Sequence, residues 1–210
     1  MSRSFNCPSC GAPNAFQSAV SILAVCAYCR STILRRDLDV ENLGKMAELQ
    51  TDGSVFQLGV QGWHASVHFT VVGRIQVRYD RGFWNEWHLL FDDHRSGWLG
   101  EAGGTLAVTF ATPVKESPPA FTRLFPGKEL TLDGRLFRIN DVEQGTCTGG
   151  EGELPFVIGA GYAAPVADLV GAGTSCATLD YSEDPPLVFL GNYVEFDELR
   201  LSGLRQVDGW

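Results

Sequence analysis

Short runs of alternating apolar and polar residues, separated by turns rich in glycine and aspartate, occupy most of this chain. Residues 68–79 (HFTVVGRIQVRY) alternate cleanly after Gly73. That pattern sets Ile75, Val77 and Tyr79 on one face of a strand and Arg74, Gln76 and Arg78 on the other. Asp80-Arg81-Gly82 supplies a turn, and residues 83–91 (FWNEWHLLF) the next strand. Further strands are predicted at 55–58, 98–99, 105–111, 129–142, 154–158, 176–181, 187–190 and 193–201, with a glycine-rich turn over 145–152. Residues 159–170 read as irregular, with one helical turn near 166–170. The best helical window is 37–50, where Leu43, Met46, Ala47 and Leu49 fall near one face and acids cluster at the start, where a helix dipole favours them.

The pattern divides the chain. Residues 1–36 read as a zinc ribbon, 37–53 as a helical linker, 54–112 as a first β module, 113–126 as a proline-rich connector and 127–210 as a second β module. The fold class is mostly β, a small ribbon followed by two related antiparallel modules of barrel or sandwich type. The modules look like copies of each other, with Trp98-Leu99-Gly100-Glu101 matched to Phe189-Leu190-Gly191-Asn192.

The ribbon assignment rests on Cys7-Pro8-Ser9-Cys10 and Cys26-Ala27-Tyr28-Cys29, a C-x2-C-x15-C-x2-C spacing. Two residues between cysteines let a tight turn aim both sulfurs at one metal, and the second pair closes the tetrahedron. Gly11 suits the turn behind the first pair. A thioredoxin-type redox motif needs one pair and a βαβ setting, and disulfides need an oxidising compartment. The spacing therefore predicts structural zinc held by Cys7, Cys10, Cys26 and Cys29. Four thiolates leave no position for a reacting water. Cys147 and Cys176 remain as free thiols.

Charge changes the picture less. Apolar residues make up 44% and charged residues 20%, an ordinary globular balance. Residues 1–36 carry Arg3, Arg30, Arg35 and Arg36 and no acid, so the body holds more than the whole net charge of −9. An acidic body argues against nucleic-acid binding across it, while the basic ribbon leaves local nucleic-acid contact as one alternative. No stretch has transmembrane length and the start is no signal peptide, so a cytoplasmic location is expected, with membrane association only through a partner.

Two candidate groups could carry function. On a strand, Trp84, Glu86 and His88 share one face, and Asn85 and Trp87 the other. Exposed tryptophans anchor partners, so Trp84, Asn85, Glu86, Trp87, Trp98 and Glu101 are the candidate partner-binding residues. An acid–base pocket around Glu86, His88, Asp92 and Glu101 is the enzymatic alternative. His64 and His68 have no metal-site spacing on a strand, and Trp210 is a packed tail or a docking signal.

The motifs CPSCGAP (7–13), CAYCRS (26–31), VVGRIQVRYDRGFWNEW (71–87), WLGEAGG (98–104) and ATLDYSEDPPLVFLGNYVEFDEL (177–199) resemble the bacterial DUF4178 family in its ribbon-bearing form, over nearly the whole chain. That family has no established activity. The resemblance implies a soluble accessory role in a bacterial membrane-stress or polyamine-related system. The closed metal site, the aromatic-rich β face and the lack of a recognisable catalytic arrangement point, apart from the resemblance, to a protein partner still to be identified. The expectation is a binding or scaffolding protein rather than an enzyme.

Overall fold

The alternation after Gly73 produces what it predicts, a long strand, and that strand belongs to a closed ring. The computed structural model describes residues 3–36 and 39–206. Eight antiparallel strands make the ring: β7 (Val67–Tyr79), β8 (Gly82–Phe91), β9 (Ser96–Ala102) and β10 (Thr105–Ala111), then β15 (Leu187–Val194), β14 (Ser175–Asp180), β13 (Tyr162–Val170) and β12 (Arg135–Leu154). Pairing of β12 with β7, Gly149 to Gln76 through Gly152 to Gly73, closes it. The closing seam requires glycine. A Cβ on Gly73 would lie 2.0 Å from the Glu153 carbonyl oxygen, so no side chain fits where the two strands cross.

The ring is built from two equivalent halves. In each, a four-residue strand, β6 (Gln61–His64) or β11 (Glu129–Leu132), turns into a long strand that begins a four-stranded meander. Both long strands carry a bulge five residues from their start, between Val71 and Gly73 and between Ile139 and Asp141. The bulges set Gly73 opposite His88 and Asp141 opposite Asp168, so His88 and Asp168 are equivalent positions. The sequence match of residues 98–101 to 189–192 is off by one strand, because the first lies on β9 and the second on β15. The cause is β13: residues 159–170 were expected to be irregular, yet nine of them form a full strand.

Each half buries its outer face. Trp87, Leu89, Leu99 and Val108 pack under Phe56, Val60 and Leu199, and Ile139, Leu169, Leu179 and Leu190 pack under Leu124 and Leu132. Where these covers lie, the outer face of a ring strand is buried, which removes the polar face that a half-exposed strand would show. Residues 145–152, expected as a glycine-rich turn, run inside β12. Residues 55–58 form no strand and serve as part of the outer cover, and 154–158 leave β12 and bend.

At the N-terminus β1 (Arg3–Asn6) and β2 (Pro13–Phe16) form a separate hairpin, while β3 (Leu23–Val25), β4 (Ser31–Arg36) and β5 (Asp39–Lys45) extend the ring sheet, since β3 pairs with β12 at Gly152–Leu154. The helical linker expected over 37–53 is therefore corrected: β5 pairs with β4, and the described residues there contain no helix. Of its described apolar positions in the expected helix face, Met46 is buried, against Leu23, Leu154 and Ile158, while Leu43 is exposed. Asp37, Leu38 and Trp210 lie outside the described residues.

Candidate functional site

The two cysteine turns bring four sulfurs together. All four Sγ atoms lie within 4.8 Å of one another, with Cys7 to Cys29 at 3.7 Å and Cys10 to Cys26 at 3.8 Å. A tetrahedral ion with metal–sulfur bonds of about 2.3 Å has sulfur–sulfur edges of about 3.8 Å, so the donor set fits a metal. The turns are alike: the Gly11 amide donates to the Cys7 carbonyl and the Arg30 amide to the Cys26 carbonyl, both at 2.8 Å, and both residues have positive φ. Gly11 meets that demand freely, whereas Arg30 is held there by its place between the metal turn and β4.

Glu153 at the end of β12 ties this unit to the ring. It is 4% exposed, and its carboxylate accepts from the amides of Gln17 (2.8 Å) and Ser18 (3.0 Å). Its own carbonyl accepts from Nδ1 of His88 at 2.9 Å.

Inside the ring, the inward positions line a cavity of about 830 Å³ that opens to solvent past Val20, Arg81 and Val157. Trp84, Trp98, Phe156, Tyr162, Phe189 and Tyr193 line it with aromatic surface, and Ala107, Gly100 and Thr109 leave room between them. Trp98 stacks on Phe156 at 5.9 Å, and Tyr162 meets Phe156 edge-on at 6.1 Å. Three carboxylates reach in from different strands: Glu86, Asp168 and Asp180. Glu86 Oε1 accepts from the Trp84 indole at 2.9 Å, Asp168 accepts from the Thr178 hydroxyl at 2.7 Å, and Asp180 accepts from the Ser182 amide at 2.8 Å. Desolvation, helped by the charges of Asp180 and Asp168, pushes Glu86 up to about 7. Desolvation also raises Asp168. Cys147 and Cys176 are free thiols facing the same interior, pushed up by burial to about 11 and about 12, so neither is an activated nucleophile.

The raised Glu86 predicts a pH-dependent stability. In the unfolded chain Glu86 ionises near 4.5 and in the fold near 7, so its ionisation costs stability as pH rises through that window. Glu86→Gln should therefore be more stable than the parent at pH 8, by on the order of 3 kcal/mol at about 1.4 kcal/mol per unit. The two proteins should unfold alike at pH 4. Urea titrations at both pH values would test this, and equal midpoints at pH 8 would refute it.

The sequence-predicted residues separate onto two sides of one sheet. Trp84, Glu86 and Trp98 line the cavity. Asn85, Trp87 and Glu101 project outward into a covered network. Trp87 is fully buried and donates through Nε1 to Glu101 Oε2 at 3.0 Å, and Ser54 donates to the same oxygen at 2.7 Å. Asn85 bridges Glu101 and Asp52, and Arg74 bonds Asp52 and Asn85 while its guanidinium lies 4.7 Å from the Trp87 ring centre. Asn85 and Trp87 are thus buried supports, and Glu101 is half-buried in the same network.

The expected acid–base pocket does not assemble. His88 faces inward but is sealed: Nδ1–H donates to the Glu153 carbonyl, Nε2 accepts from the Ser96 hydroxyl at 2.5 Å, and burial pushes its pKa down to about 4. Asp92 stands on an exposed turn 3.2 Å from His68. Two of the ribbon's arginines are already paired, Arg30 with Glu48 at 3.1 Å and Arg36 with Glu41 at 3.0 Å, which takes charge away from a nucleic-acid surface. Among the described residues no helix is long and apolar enough to cross a membrane.

Asp168, Asp180, Tyr162 and Phe189 were not singled out from sequence. The inward positions of β13 (Tyr162, Ala164, Val166, Asp168) alternate with Ala163, Pro165, Ala167 and Leu169, and both sets are largely non-polar. The one available signal was Thr178 and Asp180 alternating with Ala177 and Leu179 on β14.

The sequence matches one family model, described as a domain of unknown function (DUF4178), over residues 57–196, two thirds of the chain. The match begins just before β6, ends just after β15 and leaves the cysteine unit outside. No curated protein and no solved structure matches the chain.

Proposed function

Because the chain belongs to the DUF4178 family, whose domain has no assigned function, its role has to be argued from the site itself, and we propose that the ring is a small-molecule-binding barrel carrying a structural zinc ribbon. The observation that carries this is the cavity of about 830 Å³ inside a ring whose outer faces are both covered. Ordinary interiors fill such space with side chains, while ligand sites keep about 300–1,000 Å³ with apolar walls and a few directed polar groups. The lining matches that description. His88 is sealed and both thiols are raised, so no imidazole or thiol among the described residues is poised for attack, which favours binding over catalysis.

Zinc is the ion that a closed set of four cysteine thiolates suits best, and it supplies structure there. Thiolates stay available to metal where thiols are kept reduced, which favours a cytoplasmic location. Scaffolding of a protein partner remains compatible with this role, with the ligand as the signal the partner reads.

The cavity can be tested by filling it. Ala107 faces inward beside Gly100, its register partner on β9. Ala107→Trp should abolish the fluorescence gain that the neutral dye Nile red shows with the parent protein, while the circular dichroism spectrum stays the same. Equal dye binding by parent and folded variant, or none by the parent, would sink the reading.

A further inference from the structure

The chemistry of the lining selects among ligands. Acids contributed by several ring strands and loops face the cavity, and Arg81 is the one basic residue among the described lining residues. Arg81 sits at the rim, exposed and already bound by Glu143 and by Asp141 (3.4 Å), so it does not neutralise the acids deeper in. Glu86, Asp168 and Asp180 therefore face one another across the interior without a cation from the chain. Glu86 has one oxygen on the Trp84 indole, and its other oxygen has no donor among the described residues. Carboxylates removed from water without a counter-charge are costly, and a bound cation offsets that cost.

Resting on the barrel reading above, we propose that the cavity binds an organic ammonium ion with an apolar body, its charge among Glu86, Asp168 and Asp180 and its body against Trp98, Phe156 and Phe189. Three features converge on this class. The acids attract a cation and repel an anion. The aromatic faces hold both hydrocarbon and positive charge. The spacing disfavours a bare metal ion: among the described residues the four cysteines are the one group of three or more ligating side chains close enough to hold a metal, and Glu86, Asp168 and Asp180 do not form another. A cation spread along an organic skeleton can reach groups that a point charge cannot.

The proposal carries a pH dependence of defined sign. The titratable groups facing Glu86 are Asp168 and Tyr162 on β13, Asp180 on β14 and Cys147 on β12; both acids disfavour its ionisation, and the tyrosine and the thiol are neutral at working pH. Glu86 gains its charge as pH rises through about 7, so ammonium affinity should rise from pH 6 to pH 8.

The test uses the full chain at pH 8 and three probes with one skeleton: 4-phenylbutylamine, 4-phenylbutan-1-ol and 4-phenylbutyrate, followed by calorimetry. The amine should bind at least tenfold more tightly than the alcohol, and the acid should not bind measurably. Glu86→Gln should weaken the amine at least tenfold and leave the alcohol unchanged, with Asp168→Asn as a second variant should the first prove poorly folded. An alcohol or acid that binds as tightly as the amine, an amine that does not bind, or an amine indifferent to both substitutions overturns the proposal. Nile red separates the two levels: dye binding lost in Ala107→Trp, together with no preference for the amine, removes the cation and leaves the barrel reading standing.

Discussion

Stripping metal from the four thiolates is expected to unfold residues 3–36 and to loosen, without unfolding, the ring behind them. The cysteine unit has almost no core of its own. Its buried cluster is Cys7, Cys26 and Ile33, and two of those three belong to the four-cysteine group that could hold a metal ion. A unit that small is expected to depend on an ion held by the four thiolates, and apparent binding free energies of about 10–16 kcal/mol in zinc-finger peptides give the scale of such a dependence. The effect then travels along two physical links. β3 leaves its pairing with β12 at Gly152–Leu154, and Glu153 loses the amides of Gln17 and Ser18. That would leave a buried carboxylate without donors one residue from the glycine seam. Chelation, or Cys10→Ser, should therefore give a chain cut rapidly by protease before about residue 50, while the ring resists and melts at a lower temperature than before. Unchanged proteolysis after verified metal removal would show that the ion does not hold this unit.

The second large effect is expected at Arg74. Arg74 is 7% exposed, and its guanidinium bonds Asp52 and Asn85 above the Trp87 ring, with Glu101 the next carboxylate in the network. Arg74→Met removes the positive charge and leaves Asp52 and Glu101 facing each other through Asn85. Breaking a buried pair from one side costs about 3–5 kcal/mol, because the surviving charge stays buried without compensation. Arg205, which also bonds Asp52, offsets part of that and places the expectation at the lower end. Adding Asp52→Asn to Arg74→Met should restore more than half of the loss, since it removes the orphaned charge. Urea unfolding of the parent, the single variant and the double variant measures both quantities. A single variant within 1 kcal/mol of the parent would mean that the cover over β7 and β8 admits water.

The parts of this molecule that were legible in the sequence are those where one face differs chemically from the other or where spacing alone fixes chemistry. The cysteines met at the distances their spacing implied. β7 put Ile75, Val77 and Tyr79 on one side and Arg74 and Gln76 on the other, and β8 separated Trp84, Glu86 and His88 from Asn85 and Trp87. What could not be read was which side is the inside. Arg74, Gln76 and Asn85 look like a solvent face, yet all three are buried, Gln76 bonded to the Gln50 backbone and Arg74 and Asn85 to Asp52, which Arg205 also holds. The polar members of the other face look like a rim and instead line a cavity. β12 was divided in two because its glycines resemble a turn, although they exist to let β7 and residues 47–49 approach. The apparent helix over 37–50 failed for a related reason. Its weak periodicity lost to an available edge on β4, which is a tertiary fact that no local window contains.

The matching bulges of β7 and β12 carry one last implication. Each half of the ring offers its first strand to the other half's first strand and its last to the other's last, so a single half laid against a copy of itself already has every strand needed to enclose the space. The two halves are joined by residues 113–126 and differ in what they place inside. What sits at one position as a locked imidazole, His88, sits at its counterpart as an acid open to the interior, Asp168. A symmetric shell has in this way acquired an asymmetric inside, and only a lopsided interior can tell one end of a guest molecule from the other.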